Sequence, residues 1–184
     1  MKLVFATLLL LSCQAFAYDN IFYGDVDEYD ADSGQYYSVV TERQEKTGLL
    51  SSGEVQHGVN LFIYDPVKKA GRNLFDKSVG YIDAVIIESD YDSKERRMTF
   101  VGGGDKIRNN KNIEARKPSS ALIVETFDTN KKEFTVWKAE KVGGEPKALF
   151  AYAQPAKWHV DEKAHVVRLL RRTGNTYSVS EYAW

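Results

Sequence analysis

One device recurs five times in this chain: a run of β-branched or aromatic residues ends in aspartate, a short polar corner follows, and a second such run returns. The corners are Tyr29-Asp30-Ala-Asp-Ser-Gly34, Tyr64-Asp65-Pro-Val-Lys-Lys69 and Tyr91-Asp92-Ser-Lys94. The others are Phe127-Asp128-Thr-Asn-Lys-Lys132 and Val160-Asp161-Glu-Lys163. Branched and aromatic side chains suit a pleated surface, and an aspartate carboxylate can hold the backbone of a tight turn. The pattern therefore predicts β-hairpins. Helical periodicity is absent throughout. The expected fold class is all-β: an antiparallel hairpin or meander array built as a two-sheet sandwich, an open barrel or a truncated propeller-like array. Corners recur about every thirty residues, too closely for five complete four-stranded blades.

Taken in order, the mature chain first offers Gln35–Val40 as a strand, then Thr41–Gly58 as a long polar connection with at most one short strand. Asn60–Asp65 and Gly71–Phe75 form the second hairpin, and Tyr81–Ser89 with Arg96–Val101 the third. Ala121–Asp128 and Phe134–Lys138 form the clearest one, Ala148–Gln154 adds a strand, and Lys157–Val160 pairs with His165–Leu170. A turn at Thr173-Gly174-Asn175 leads into the last strand, Tyr177–Trp184, for about twelve strands in all. The runs Ala84–Ile87 and Leu122–Val124 have no polar face, which predicts strands covered on both sides.

The chain begins with a basic tip at Lys2, an apolar stretch Leu3–Leu11 and small residues ending in Ala15-Phe16-Ala17. That is the layout of a secretory signal peptide over residues 1–17, too short to span a bilayer. The expected mature unit is a single all-β domain, residues 18–184. The rival reading takes Leu10-Leu11-Ser12-Cys13 as a lipidation site, with Cys13 acylated as an anchor. Cys13 is the only cysteine. An exported domain without disulfides fits a bacterial periplasm or cell surface, or secretion from it. With 25 basic and 26 acidic residues, the chain lacks the cationic excess of a nucleic-acid binder.

Few residues carry chemistry by pattern. Asp25, Asp27, Asp30 and Asp32 are the candidates for a hard cation, but the calcium-loop spacing fails. Counted from Asp30, Gln35 stands where glycine is needed and Thr41 where the bidentate glutamate belongs. A hairpin turning at Asp161–Ala164 would set His159 opposite Val166 and Val160 opposite His165, with the two imidazoles on opposite faces and no shared zinc. No nucleophile motif exists, and no cofactor is expected. Aromatic rings including Tyr36, Tyr37, Trp137, Trp158, Tyr182 and Trp184 fill a core or, where exposed, form a sugar- or peptide-binding face.

The remaining candidate is the stretch after Gly102-Gly103-Gly104, which carries Lys106, Arg108, Asn109, Asn110, Lys111, Arg116 and Lys117. Long connections without secondary structure are often functional. The leading expectation is an exported, non-catalytic binding or assembly domain acting through this basic loop on a protein or glycan partner of the cell envelope. The acidic segment Asp25–Asp32 is an alternative partner for the loop within the molecule. The other readings are a barrel or sandwich enclosing a small ligand, and a hydrolase with no recognisable motif.

Overall fold

A computed structural model describes residues 28–45, 54–108 and 112–184. Thirteen strands lie among them: β1 Glu28–Asp30, β2 Gln35–Glu45, β3 Glu54–Asp65, β4 Ala70–Asn73, β5 Tyr81–Asp92, β6 Arg97–Gly102 and β7 Ile107–Arg108, then β8 Ala121–Asp128, β9 Glu133–Glu140, β10 Lys147–Tyr152, β11 Lys157–Asp161, β12 Val166–Thr173 and β13 Thr176–Ala183. The all-β class is borne out. One sheet of nine strands runs β1-β2-β3-β5-β8-β9-β10, with β4 on β3 and β6 on β5, and does not close into a barrel. A second sheet runs β13-β12-β11-β7. The arrangement is that of an all-β sandwich.

All five aspartate corners form, and they share one geometry. Asp65 accepts the backbone N–H of Val67 and Lys68, both at 3.0 Å. Asp92 accepts those of Lys94 and Glu95, Asp128 those of Asn130 and Lys131, and Asp161 those of Lys163 and Ala164. Asp30 accepts Ser33 N–H at 3.1 Å. These bonds hold Asp65 and Asp92 below the usual carboxylate range, whereas at Asp128 the Lys131 side chain is the larger cause. Four residues after each aspartate the backbone turns left-handed, at Gly34, Lys69, Arg96, Lys132 and His165 (φ 50 to 70°). Only the first is glycine, so the other corners carry a steric cost that their hydrogen bonds offset.

Three expectations need correcting. Thr41–Gly58 is not a polar connection from end to end: β2 continues to Glu45 and pairs with β3 from Glu54, with a bulge at Val40/Thr41, while residues 46–53 lie outside the described residues. Gln35–Val40 was therefore only half of its strand, because polar residues on an exposed ribbon lack an apolar period to read. Pairing is not wholly antiparallel, since β7 lies parallel to β11 through Val160↔Ile107. The last Asp corner also sits differently, with His159 opposite Arg168 and Val160 opposite Val167. His165 falls in the turn, with its ring on Trp184, and not on β12.

The centre of the molecule is the β5–β8 pair. Ala84–Glu88 and Ala121–Thr126 are buried without interruption, as two-sided cover requires. On one face Val85, Ile87, Leu122 and Val124 pack with Tyr37, Leu61, Ile63, Leu74 and Phe75. The large sheet bends to achieve this, because β3 meets β5 only at Gly58↔Ile82. Two contacts fasten the bend: the Tyr37 hydroxyl donates to Lys141 O at 2.8 Å, and Arg72 donates to Gly144 O at 3.1 Å. On the other face Ile86 and Ile123 pack with Trp158, Val160, Val167, Leu169 and Trp184 of the second sheet, together with Phe134, Phe150 and Tyr152. Each large apolar side chain so buried stabilises the fold by roughly 1.5–3 kcal/mol before entropy is counted.

Candidate functional site

The basic connection is built into this packing. Lys106 sits in a short 3-10 turn, Gly104–Lys106, that starts after left-handed Gly103. A Cβ on Gly103 would meet Ile107 and Ile86 at under 3 Å, so glycine lets the chain press against the core there. Lys106 reaches inward, 3.2 Å from the buried Glu125 carboxylate, and lies over the Trp158 ring. Arg116 grips the buried Glu88 carboxylate with two nitrogens, and Ser119 N–H adds a third bond at 2.8 Å. Lys106 and Arg116 are thus not the free surface charges that the loop composition suggests. Both neutralise acids on β5 and β8, an arrangement that is strongly destabilised when one partner is lost. Arg108 and Lys117 are exposed, while Asn109, Asn110 and Lys111 lie outside the described residues.

The acidic segment finds a different cation. Asp30 and Asp32 both pair with Lys141, at 3.1 and 2.9 Å, and the ammonium also donates to Glu88 O. The idea that this segment caps the basic loop is replaced by that contact. With two of the four candidate carboxylates so engaged, they form no open cation site; Asp25 and Asp27 lie outside the described residues.

Around Glu125 the side chains form a compact polar set. Its Oε1 accepts the Tyr152 hydroxyl and the Trp158 indole N–H, while Oε2 faces Lys106 at ion-pair distance without an aligned hydrogen bond. Asp83 stands beside it, displaced by a bulge between Ile82 and Ala84. Burial, and then the charge of Glu125, push Asp83 up to about 7. Tyr152 is pushed up as well, by burial and by Glu125. The Asp83 carboxyl thus keeps its proton well above the usual carboxylate range. Its sequence signal was an aspartate and two glutamates inside otherwise apolar strands. Near Glu88 lies His165, its Nε2 4.0 Å from the carboxylate and its ring stacked on Trp184; burial and Arg116 push it down.

A cleft of roughly 520 Å³ opens elsewhere, where the β2–β3 ribbon departs from the central strands and faces the β8–β9 corner. Its walls include Glu42, Tyr81, Asn130, Glu133, Thr135 and Trp137. The Trp137 ring is fixed: its N–H donates to Thr126 Oγ1 at 2.9 Å, and Phe75 meets it edge-on at 5.4 Å. Tyr81 is backed by His57, stacked at 4.2 Å. Lys131 is paired with Asp128 across the corner at 3.1 Å, which leaves Glu42 and Glu133 to set the sign of the cleft. Aromatic walls with hydroxyl, amide and carboxylate groups can stack on a ring and hydrogen-bond its substituents. The sequence reading named Trp137 only as one of many aromatics. The rest of the cleft comes from four separate stretches that no local pattern joins.

Compared with protein families, curated proteins and solved structures, the chain matches none.

Proposed function

We propose that this chain is an exported, non-catalytic glycan-binding domain of the bacterial envelope, and that its ligand lies in the cleft between the β2–β3 ribbon and the β8–β9 corner. The single observation that supports it is the rigid Trp137–Tyr81 wall set among hydrogen-bonding side chains in a concavity large enough for one or two sugar rings. Net negative charge from Glu42 and Glu133 favours a neutral or amino-bearing glycan over an acidic one. Retention on insoluble cell-wall glycan tests it. Trp137→Ala should lose at least tenfold in retention and Glu133→Gln less, with Arg108→Gln unchanged; equal retention by Trp137→Ala rejects the cleft. Export is tested by mass: the protein recovered outside the cytoplasm should begin at Tyr18, and an acylated Cys13 would replace free export by anchoring.

A second reading rests on Asp83. A carboxyl pushed up to about 7, as Asp83 is, suits acid–base hydrolysis. Release of soluble fragments from the same glycan, abolished by Asp83→Asn, would replace binding by catalysis.

A further inference from the structure

The β12–β13 hairpin carries a feature independent of the cleft. Beyond the last β11 rung, Lys157↔Leu170, the two strands run on through Arg171↔Ser178, Arg172↔Tyr177 and Thr173↔Thr176 with no third strand paired to them among the described residues. Residues 171–179 are exposed without exception, on both faces of the ribbon. A folded domain hides branched and aromatic side chains where it can, yet Tyr177 and Val179 are 63% and 54% exposed here. Register sets Tyr177 beside Arg172 and Val179 beside Leu170 on one face.

Charge is segregated in the same place. No acid occurs between Glu162 and Glu181, while Lys163, Arg168, Arg171 and Arg172 do. Arg168 is neutralised by Asp161 and Glu181. Arg171 and Arg172 instead donate to the carbonyls of Ala151 and Gly174, which fixes the guanidinium groups without cancelling their charge. Alternation puts Arg171 on the opposite face of the ribbon, while on the outer face with Arg172 the side chains of Lys157 and Arg108 continue the positive field. At the tip, a Cβ added to Gly174 would meet nothing within 4 Å.

We infer that this hairpin docks the domain on an anionic lipid surface, with Arg171 and Arg172 among the headgroups and Tyr177 and Val179 in the interfacial layer. The charge complementarity fits any polyanion, but a convex finger with an exposed ring and a branched aliphatic beside its cations fits a bilayer interface specifically. A soluble acidic glycan could stack on Tyr177 but would leave the branched aliphatic Val179 without a role.

The test is co-sedimentation of the full chain with vesicles of phosphatidylglycerol in phosphatidylcholine, against phosphatidylcholine alone. Comparison among variants of one chain keeps the apolar Leu3–Leu11 stretch constant. Binding should require the anionic lipid and weaken with salt. Each arginine near a charged surface contributes about fivefold, so Arg171→Gln with Arg172→Gln should lower partitioning about twenty-fivefold. Tyr177→Ser with Val179→Ser should lower it too, without changing retention on dextran sulfate. All four positions are exposed, so melting temperature should hold. Equal partitioning by the arginine variant overturns the proposal, as does retention on dextran sulfate without vesicle binding. So does self-association through the free β13 edge, seen as a concentration-dependent dimer that Val179→Pro abolishes while vesicles are ignored.

Discussion

The two faces of the β5–β8 pair bury neighbouring residues of the same strands by different means. Toward β2 and β3 the contact is mainly apolar, from Val85 and Leu122 to Leu61 and Phe75, with neutral hydrogen bonds from Tyr37 to Lys141 O and from Trp137 to Thr126. Toward the second sheet, Ile86 and Ile123 share the interface with Glu88 and Glu125, and each acid requires a cation from the Gly102–Ser120 connection. The first face depends mainly on volume. The second depends on charge as well, and therefore on a connection with little regular structure being in place. Lys106 and Arg116 turn that segment into a strap across the sandwich, which explains why a glycine-rich basic stretch is not a free arm.

Breaking each face separately sharpens the contrast. The largest loss is expected from Glu88→Ala, which strands Arg116 and Ser119 N–H. Loss of one partner of a buried pair costs about 3–5 kcal/mol, toward the lower end here because Arg116 is 28% exposed. Urea unfolding should show it, with the loss shrinking in the double variant with Arg116→Met. Leu122→Ala on the other face should cost about 2–5 kcal/mol by leaving a cavity, and the loss should be the same at every pH between 5 and 8.

Asp83 separates the faces by pH. Its folded-state value, about 7, lies above its unfolded one, so the folded state holds the extra proton between them. Stability from this group is therefore present at low pH and lost as pH rises toward about 7. Asp83→Asn should abolish that contribution: the urea midpoint of the variant, less that of the wild type, should grow from pH 5 to pH 8. His159 and His165 act with the opposite sign as pH falls, but they are common to both proteins and cancel in the difference. The smallest effect belongs to the corners. Lys132→Gly relieves a left-handed lysine (φ 54°) and should raise stability by up to about 1 kcal/mol, read as a higher melting temperature.

The corners and the two-sided strands were legible because both are local: an Asp at a turn and an unbroken apolar run need no distant partner to be recognised. Thr41–Glu45 was missed because its pairing partner lies beyond eight intervening residues and the ribbon it forms is polar on the surface. The cations were located correctly and misread in direction, since nothing near Lys106 or Arg116 in sequence announces Glu125 or Glu88. The cleft was invisible for the same reason: Glu42, Tyr81, Glu133 and Trp137 meet only because β3 leaves β5 after a single pair. The cationic hairpin was legible and overlooked. An acid-free stretch from Lys163 to Ser180 is a stronger charge asymmetry than the loop, where Asp105 and Glu114 interrupt.

The place where a ligand touches the molecule separates the cleft from the basic connection. Trp158 and Trp184 are buried, whereas Trp137 lines the cleft, so tryptophan emission reports on that wall. Titration with soluble cell-wall oligosaccharides should give a saturable change in emission that disappears in Trp137→Phe and persists when Arg108 and Lys117 are both changed to Gln. A change that survives in Trp137→Phe and is lost with the two cations would contradict the account and return binding to the basic connection.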